Sequence, residues 1–209
     1  MGLPVGFVAW LVAVLVHGAG IPSPIAGVFG IAMLSAASAT IIERGVVERI
    51  DHWTEATDAT EATEARPAHP GVASILVLVF ATIVRAVAIV MIPASEWLLV
   101  FLATAVVGRW AAVFLQALGD PVPEDRGRRS LVATPSPAWL TVAISAGVAA
   151  LAILALGKAA IVALALAAIA SFSLGLEAQR RDGGLSAPVV ATAAAIGELL
   201  VLLIATIGH

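Results

Sequence analysis

Seven stretches of the chain are almost wholly apolar, and each is bounded by glycine, proline or a cluster of charge. They run from about Leu3 to Ile21, Ile25 to Ile42, Val72 to Ile92, Trp97 to Leu118, Trp139 to Leu156, Ala159 to Leu176 and Pro188 to Ile207. Each is close to the ~20 residues that carry a helix across ~30 Å of hydrocarbon. The pattern predicts an all-α fold, a polytopic membrane helical bundle of about seven transmembrane helices, forming a single integral membrane domain over residues 1–209. The first stretch is the least regular, because Pro4 opens it and His17, Gly18 and Gly20 break up its end. Alanine and glycine are abundant in the later stretches, which suits close helix packing in lipid, where small side chains let backbones approach. Trp97 and Trp139 stand at the starts of their stretches, where interfacial anchors belong.

Composition sharpens the class. The chain is 61% hydrophobic and 12% charged, with a mean hydropathy of +1.06, values outside the range of water-soluble domains. There is no cysteine, so a disulfide framework, a thiolate nucleophile and a zinc-thiolate site are all excluded. A net charge of −3 gives no reason to expect nucleic acid as a partner. The opening segment lacks a basic leading stretch, so no cleavable signal is expected.

Charge distribution sets an orientation. The connection at about 43–71 carries Arg44, Arg49 and Arg66, the one at about 119–138 carries Arg126, Arg128 and Arg129, and the one at about 178–187 carries Arg180 and Arg181. The alternate connections offer only Lys158. Basic residues concentrate on the inner side of a membrane, so the amino terminus and the three charged loops are expected in the cytoplasm and the carboxyl terminus outside the cytoplasmic membrane.

Candidate chemistry starts at Glu43 to Asp51, where charge begins abruptly after an apolar run. Glu48 and Asp51 are three apart, so on a helix continuing out of the preceding span they share a face with Arg44 one turn back. That face suits either a divalent cation or a solvated helix end closed by an Arg44 to Glu48 pair. Beyond it, a Thr-acid-Ala triplet runs four times between Thr54 and Ala65. Its period of three matches neither helix nor strand, so a solvated spacer is expected rather than a calcium site at Glu55, Asp58, Glu61 and Glu64. Within the spans lie Arg85, Arg109 and Glu198, and an ionisable group in hydrocarbon costs several kcal/mol unless paired or wetted. Glu198 is the natural partner of either arginine. His17, His52, His69 and His209 lack metal-ligand spacing.

The order of these features carries a family resemblance. Leu3-Pro4-Val5-Gly6, Val107-Gly108-Arg109, the loop Glu124-Asp125-Arg126-Gly127 and above all Arg180-Arg181-Asp182-Gly183-Gly184-Leu185-Ser186, leading to Gly197-Glu198-Leu199, resemble motifs of the cobalamin-5'-phosphate synthases, the adenosylcobinamide-GDP ribazoletransferases. That family's His-x-Asp-Gly-x-x-Asp-x-x-Asp-Gly signature falls on Ile42, Arg44, Gly45, Glu48, Asp51 and His52, so one aspartate is lengthened to glutamate and another is replaced by arginine. Its later Gly-Asp pair falls on Ala187-Pro188, and the first glutamate of its closing pair on Ala195. The resemblance implies a membrane enzyme that joins an activated corrinoid phosphate to an α-ribazole-type acceptor. It implies catalytic roles for Glu48, Asp51 and Glu198. Phosphate and substrate contacts would come from Arg44, Arg109, Arg180, Gly183, Gly184 and Ser186, and magnesium, in a catalytically active chain, from Glu48 and Asp51. Implied partners are a corrinoid nucleotide and a ribazole-type substrate, with room for a homo-oligomer or a complex with other membrane enzymes. The alternatives are a non-catalytic relative that binds corrinoid or scaffolds those enzymes and, more distantly, a small transporter built on Arg85, Arg109 and Glu198.

Overall fold

A computed structural model gives the fold and describes residues 2–38, 40–58, 70–122 and 138–208. Eight helices follow one another in it: α1 (Gly2–Gly18), α2 (Ser23–Ala37), α3 (Ile41–Asp58), α4 (Val72–Met91), α5 (Trp97–Leu118), α6 (Ala138–Leu156), α7 (Ala159–Asp182) and α8 (Ala187–Ala205). Among the described residues five helices, α4 to α8, are long and apolar enough to cross a membrane. α2 with the first part of α3 makes a sixth candidate, bent by 75°, and α1 is apolar but shorter at 17 residues. Every one of the seven apolar stretches therefore holds a helix, and the chain is an all-α polytopic membrane bundle. Residues 59–69 and 123–137, which include most of the Thr-acid-Ala tract and the Glu124 to Gly127 motif, lie outside the described residues, as does His209.

The bundle is organised around α5 and α8, whose apolar windows are 56% and 50% buried, against 22% for α4 and 11% for α6. The outer helices turn leucine, isoleucine and valine side chains outward, where lipid would meet them. The two central helices approach through glycine. A Cβ on Gly108 would run into Glu198 Cγ, and a Cβ on Gly197 would lie 3.1 Å from Gly108 Cα. In lipid such close approach, rather than exclusion of water, holds helices together. One apolar core, with Phe101, Trp97, Ile89, Leu34 and Leu202, fills the space between α1, α2, α4 and these two.

Two boundaries differ from the sequence expectation. α3 does not continue out of the second span: α2 ends at Ala37, Thr40 takes a left-handed φ of 54°, and the chain resumes as α3 at a sharp angle. The reason is polarity, since α3 carries acidic or basic side chains on nearly every turn and cannot extend into hydrocarbon. It lies instead across α8 and α4, with Gly45 packed so closely on α8 that a Cβ there would collide with that of Ala191. Conversely, the connection expected at about 178–187 is mostly helix. α7 runs on to Asp182, its basic last turn complementing the helix dipole, and stops at Gly183 in the left-handed conformation, φ 71°.

Candidate functional site

Four helices send ionisable side chains to one buried point. Glu198 of α8 is 2% exposed, and its two oxygens meet Arg109 of α5 at 3.1 Å and Arg85 of α4 at 3.2 Å. Arg85 also reaches Glu43 of α3 at 3.5 Å and the Ala195 carbonyl at 3.4 Å. Arg109 donates in addition to Ser38 Oγ, at 2.6 Å, and to the Ala105 carbonyl. Ser38 caps the end of α2 by donating to the Leu34 carbonyl, so the guanidinium of Arg109 ties the α2–α3 corner to α8. Two guanidiniums and two carboxylates balance in charge, which is what makes their burial tolerable. Glu43 Oε2 and Arg85 Nε are buried with no hydrogen-bond partner among the described residues.

A second cluster joins α3 to the end of α7. Arg49, buried on α3, meets Asp182 at 2.5 Å and Glu177 at 3.5 Å. Trp53, one turn further along α3, donates its indole N–H to Glu177 at 2.7 Å, and Arg181 reaches the same carboxylate at 3.6 Å. The turn after α7 is pinned as well. Leu185 N–H donates to the Asp120 carbonyl at 2.8 Å, and Val122 N–H donates back to the Leu185 carbonyl at 3.1 Å. Gly184 is required by this contact, because a Cβ there would sit 2.8–2.9 Å from the 120–122 backbone.

The residues singled out from sequence divide between these places. Arg109 and Glu198 pair directly. Glu48 pairs with Arg44 at 3.0 Å on an open face, their side chains 50% and 80% exposed, which is the solvated helix-end arrangement. Asp51 accepts from the Gly71 N–H at 3.0 Å and so holds the start of α4. Arg180 is exposed, Gly183 and Gly184 shape the turn, and Ser186 opens α8 as its N-cap residue without a side-chain capping bond. Arg49, Trp53, Glu177 and Asp182 were not singled out. The four-residue spacing of Arg49 and Trp53 was the available signal, since it places both on the side of α3 away from Arg44 and Glu48.

Magnesium prefers near-octahedral oxygen ligation, commonly through one or two carboxylates with waters and substrate phosphates. Here one candidate carboxylate is neutralised by a guanidinium and the other is committed to a backbone N–H. Among the described residues no group of three or more His, Asp or Glu gathers at metal-ligand distance. By themselves the α3 residues offer two carboxylates, each already engaged, so water and substrate phosphates would have to complete any magnesium shell there.

A family model described as Cobalamin-5-phosphate synthase matches residues 1–206. No curated protein and no solved structure matches the chain.

Proposed function

The chain belongs to the cobalamin-5-phosphate synthase family, a membrane family of cobalamin biosynthesis that acts on corrinoids, and from that membership we propose that it joins an activated corrinoid phosphate to an α-ribazole-type acceptor at its cytoplasmic end. The observation that carries this reading is the joint between α3 and α7, Arg49 on Asp182 and Trp53 on Glu177. It draws the α3 motif and the Arg180 to Ser186 motif to one surface, although more than a hundred residues separate them in sequence. That surface offers Arg180 exposed and Arg181 half-exposed, and guanidinium forks match phosphate oxygens in geometry as well as charge. Fixed cations aimed at the diphosphate would stabilise charge as it moves to the leaving group. The test is to incubate membranes holding the protein with GDP-activated cobinamide and α-ribazole, with and without chelator. Formation of the joined phosphate product is expected, and its absence from a folded, membrane-inserted preparation under both conditions overturns the reading.

A second reading has its own observation. Arg44, at the position of a family aspartate, is paired with Glu48, so a carboxylate of the old set is already occupied. A non-catalytic relative that retains a corrinoid, or a partner enzyme, follows from that. It predicts that cobinamide binds and is released unchanged in the same assay.

A further inference from the structure

The helix α7 has 24 residues, about 36 Å of rise, and so outruns the ~30 Å of hydrocarbon by roughly a turn. Its inward face is made of small residues, with Ala163, Ala167 and Ser171 buried against the bundle. On the opposite face Val162, Leu166, Ile169 and Leu176 recur at three-, four- and seven-residue spacing and stand exposed, Ile169 by 61%. The position that continues this outward stripe past the hydrocarbon is Arg180, one turn beyond Leu176 and itself exposed. One further residue turns the helix by about 100°, which brings Arg181 round to Glu177 at 3.6 Å and to the α3 joint. Arg180, in no ion pair among the described residues, is left at the head of the lipid-facing stripe.

The neighbouring helix indicates the level. Measured by helix rise from the turn that joins α6 to α7, Arg180 lies about 32 Å along α7, and Trp139, 72% exposed near the start of α6, about 26 Å back along α6. An exposed indole on the hydrocarbon side of an exposed guanidinium is the vertical order of a membrane interface, where the ring sits among the headgroups and the longer cationic side chain reaches outward. A guanidinium without a carboxylate partner favours a phosphate that has no cation of its own. In a zwitterionic lipid the phosphate is balanced by the lipid's own ammonium group, whereas in phosphatidylglycerol it is not.

We infer that the outward face of α7 seats an anionic phospholipid, its phosphate on Arg180 and an acyl chain along Leu176, Ile169 and Leu166. The occupant is a lipid rather than a soluble phosphate because the cation heads an apolar column that an acyl chain covers. The inference goes beyond the transfer reaction and does not depend on it.

The full chain in mild detergent is given equal amounts of phosphatidylglycerol and phosphatidylcholine with the same acyl chains, and the lipid retained by the parent, R180Q and R181Q is counted by native mass spectrometry. The parent is expected to hold phosphatidylglycerol about 5-fold more tightly, the contribution of one basic residue at a headgroup. R180Q should lose that preference while still binding phosphatidylcholine, and R181Q, whose guanidinium is turned to Glu177, should keep it. In phosphatidylcholine alone R180Q should melt with the parent, and it should lack the stabilisation that phosphatidylglycerol gives the parent. The bound phosphatidylglycerol should also survive inorganic pyrophosphate added at matched ionic strength. Equal retention of the two lipids by the parent overturns the inference, as does a preference that survives R180Q or falls equally in R181Q. Destabilisation of R180Q in phosphatidylcholine alone would make Arg180 a structural contact, and displacement of the lipid by pyrophosphate would make it a soluble-phosphate contact, and either result overturns the inference as well.

Discussion

Replacing Glu198 with glutamine changes almost nothing in shape and removes one charge from the most enclosed polar point of the bundle. The γ-methylene that fills the notch left by Gly108 is kept, so α5 and α8 should stay in register. What is lost is the carboxylate shared by Arg109 at 3.1 Å and Arg85 at 3.2 Å, leaving Glu43 at 3.5 Å as the remaining carboxylate for two guanidiniums. Breaking a buried pair from one side costs about 3–5 kcal/mol in a protein interior, while interhelical polar contacts in membranes are worth about 1–2 kcal/mol because the unfolded chain also finds partners there. Two contacts at that scale place the cost of Glu198→Gln at about 2–4 kcal/mol. Glu177→Gln is the comparison. Its carboxylate is 31% exposed at the end of α7, and Asp182 still serves Arg49, so it should cost below about 1 kcal/mol. The assay is thermal unfolding of both variants in one detergent, where the Glu198 variant should melt roughly 5–15 °C lower than the parent. Adding Arg109→Gln to Glu198→Gln should recover part of the loss, since it removes a cation that has lost its partner. Equal melting of the Glu198 and Glu177 variants, or an additive double variant, would refute the picture of a balanced buried network.

Other consequences are equally direct. A reporter fused after Asp58 should be active only in the cytoplasm and one fused after His209 only outside, and equal or reversed signals would remove the orientation read from the arginines. Gly45→Val should separate α3 from α8, because even a Cβ collides with Ala191, at a cost of about 1–3 kcal/mol. Faster proteolysis within α3, with α4 to α8 still protected, would show it. Arg44→Asp with Pro188→Asp restores two acids across the α3–α8 contact, where Gly45 lies close to Pro188. The double variant, unlike the parent, should bind magnesium by calorimetry, the change at residue 44 alone removing a cation and adding an anion. A folded double variant without magnesium binding would mean that the backbone there no longer has the geometry of a cation site.

The membrane class, the apolar stretches and the existence of buried ion pairs were legible in the sequence because they are local or compositional. An unbroken apolar run of span length has few alternatives to a helix in lipid, and a glutamate within it must find a cation. The Arg44 to Glu48 pair was legible for the same reason, being a matter of four-residue spacing. The α2–α3 corner was not. Ser35-Ala36-Ala37-Ser38 offers neither glycine nor proline, and the break is made by Arg109 holding Ser38 from another helix and by Thr40 turning left-handed. Nor could sequence choose between Arg85 and Arg109 as the partner of Glu198, since the answer is both, with Glu43 added from a helix that arrives crosswise. The end of α7 was read as loop because it is charged, whereas its charges are ion-paired to α3 and its helix stops only at a glycine that can turn left-handed. Arg49 and Trp53 became visible as parts of a site only when α3 lay down against α7, because side chains 124 and 133 residues from their partners carry no shared local signal. Periodicity and hydropathy thus determined which segments enter the membrane, and the close approach of backbones through glycine, with the charge balance it enforces, decided which side chains meet.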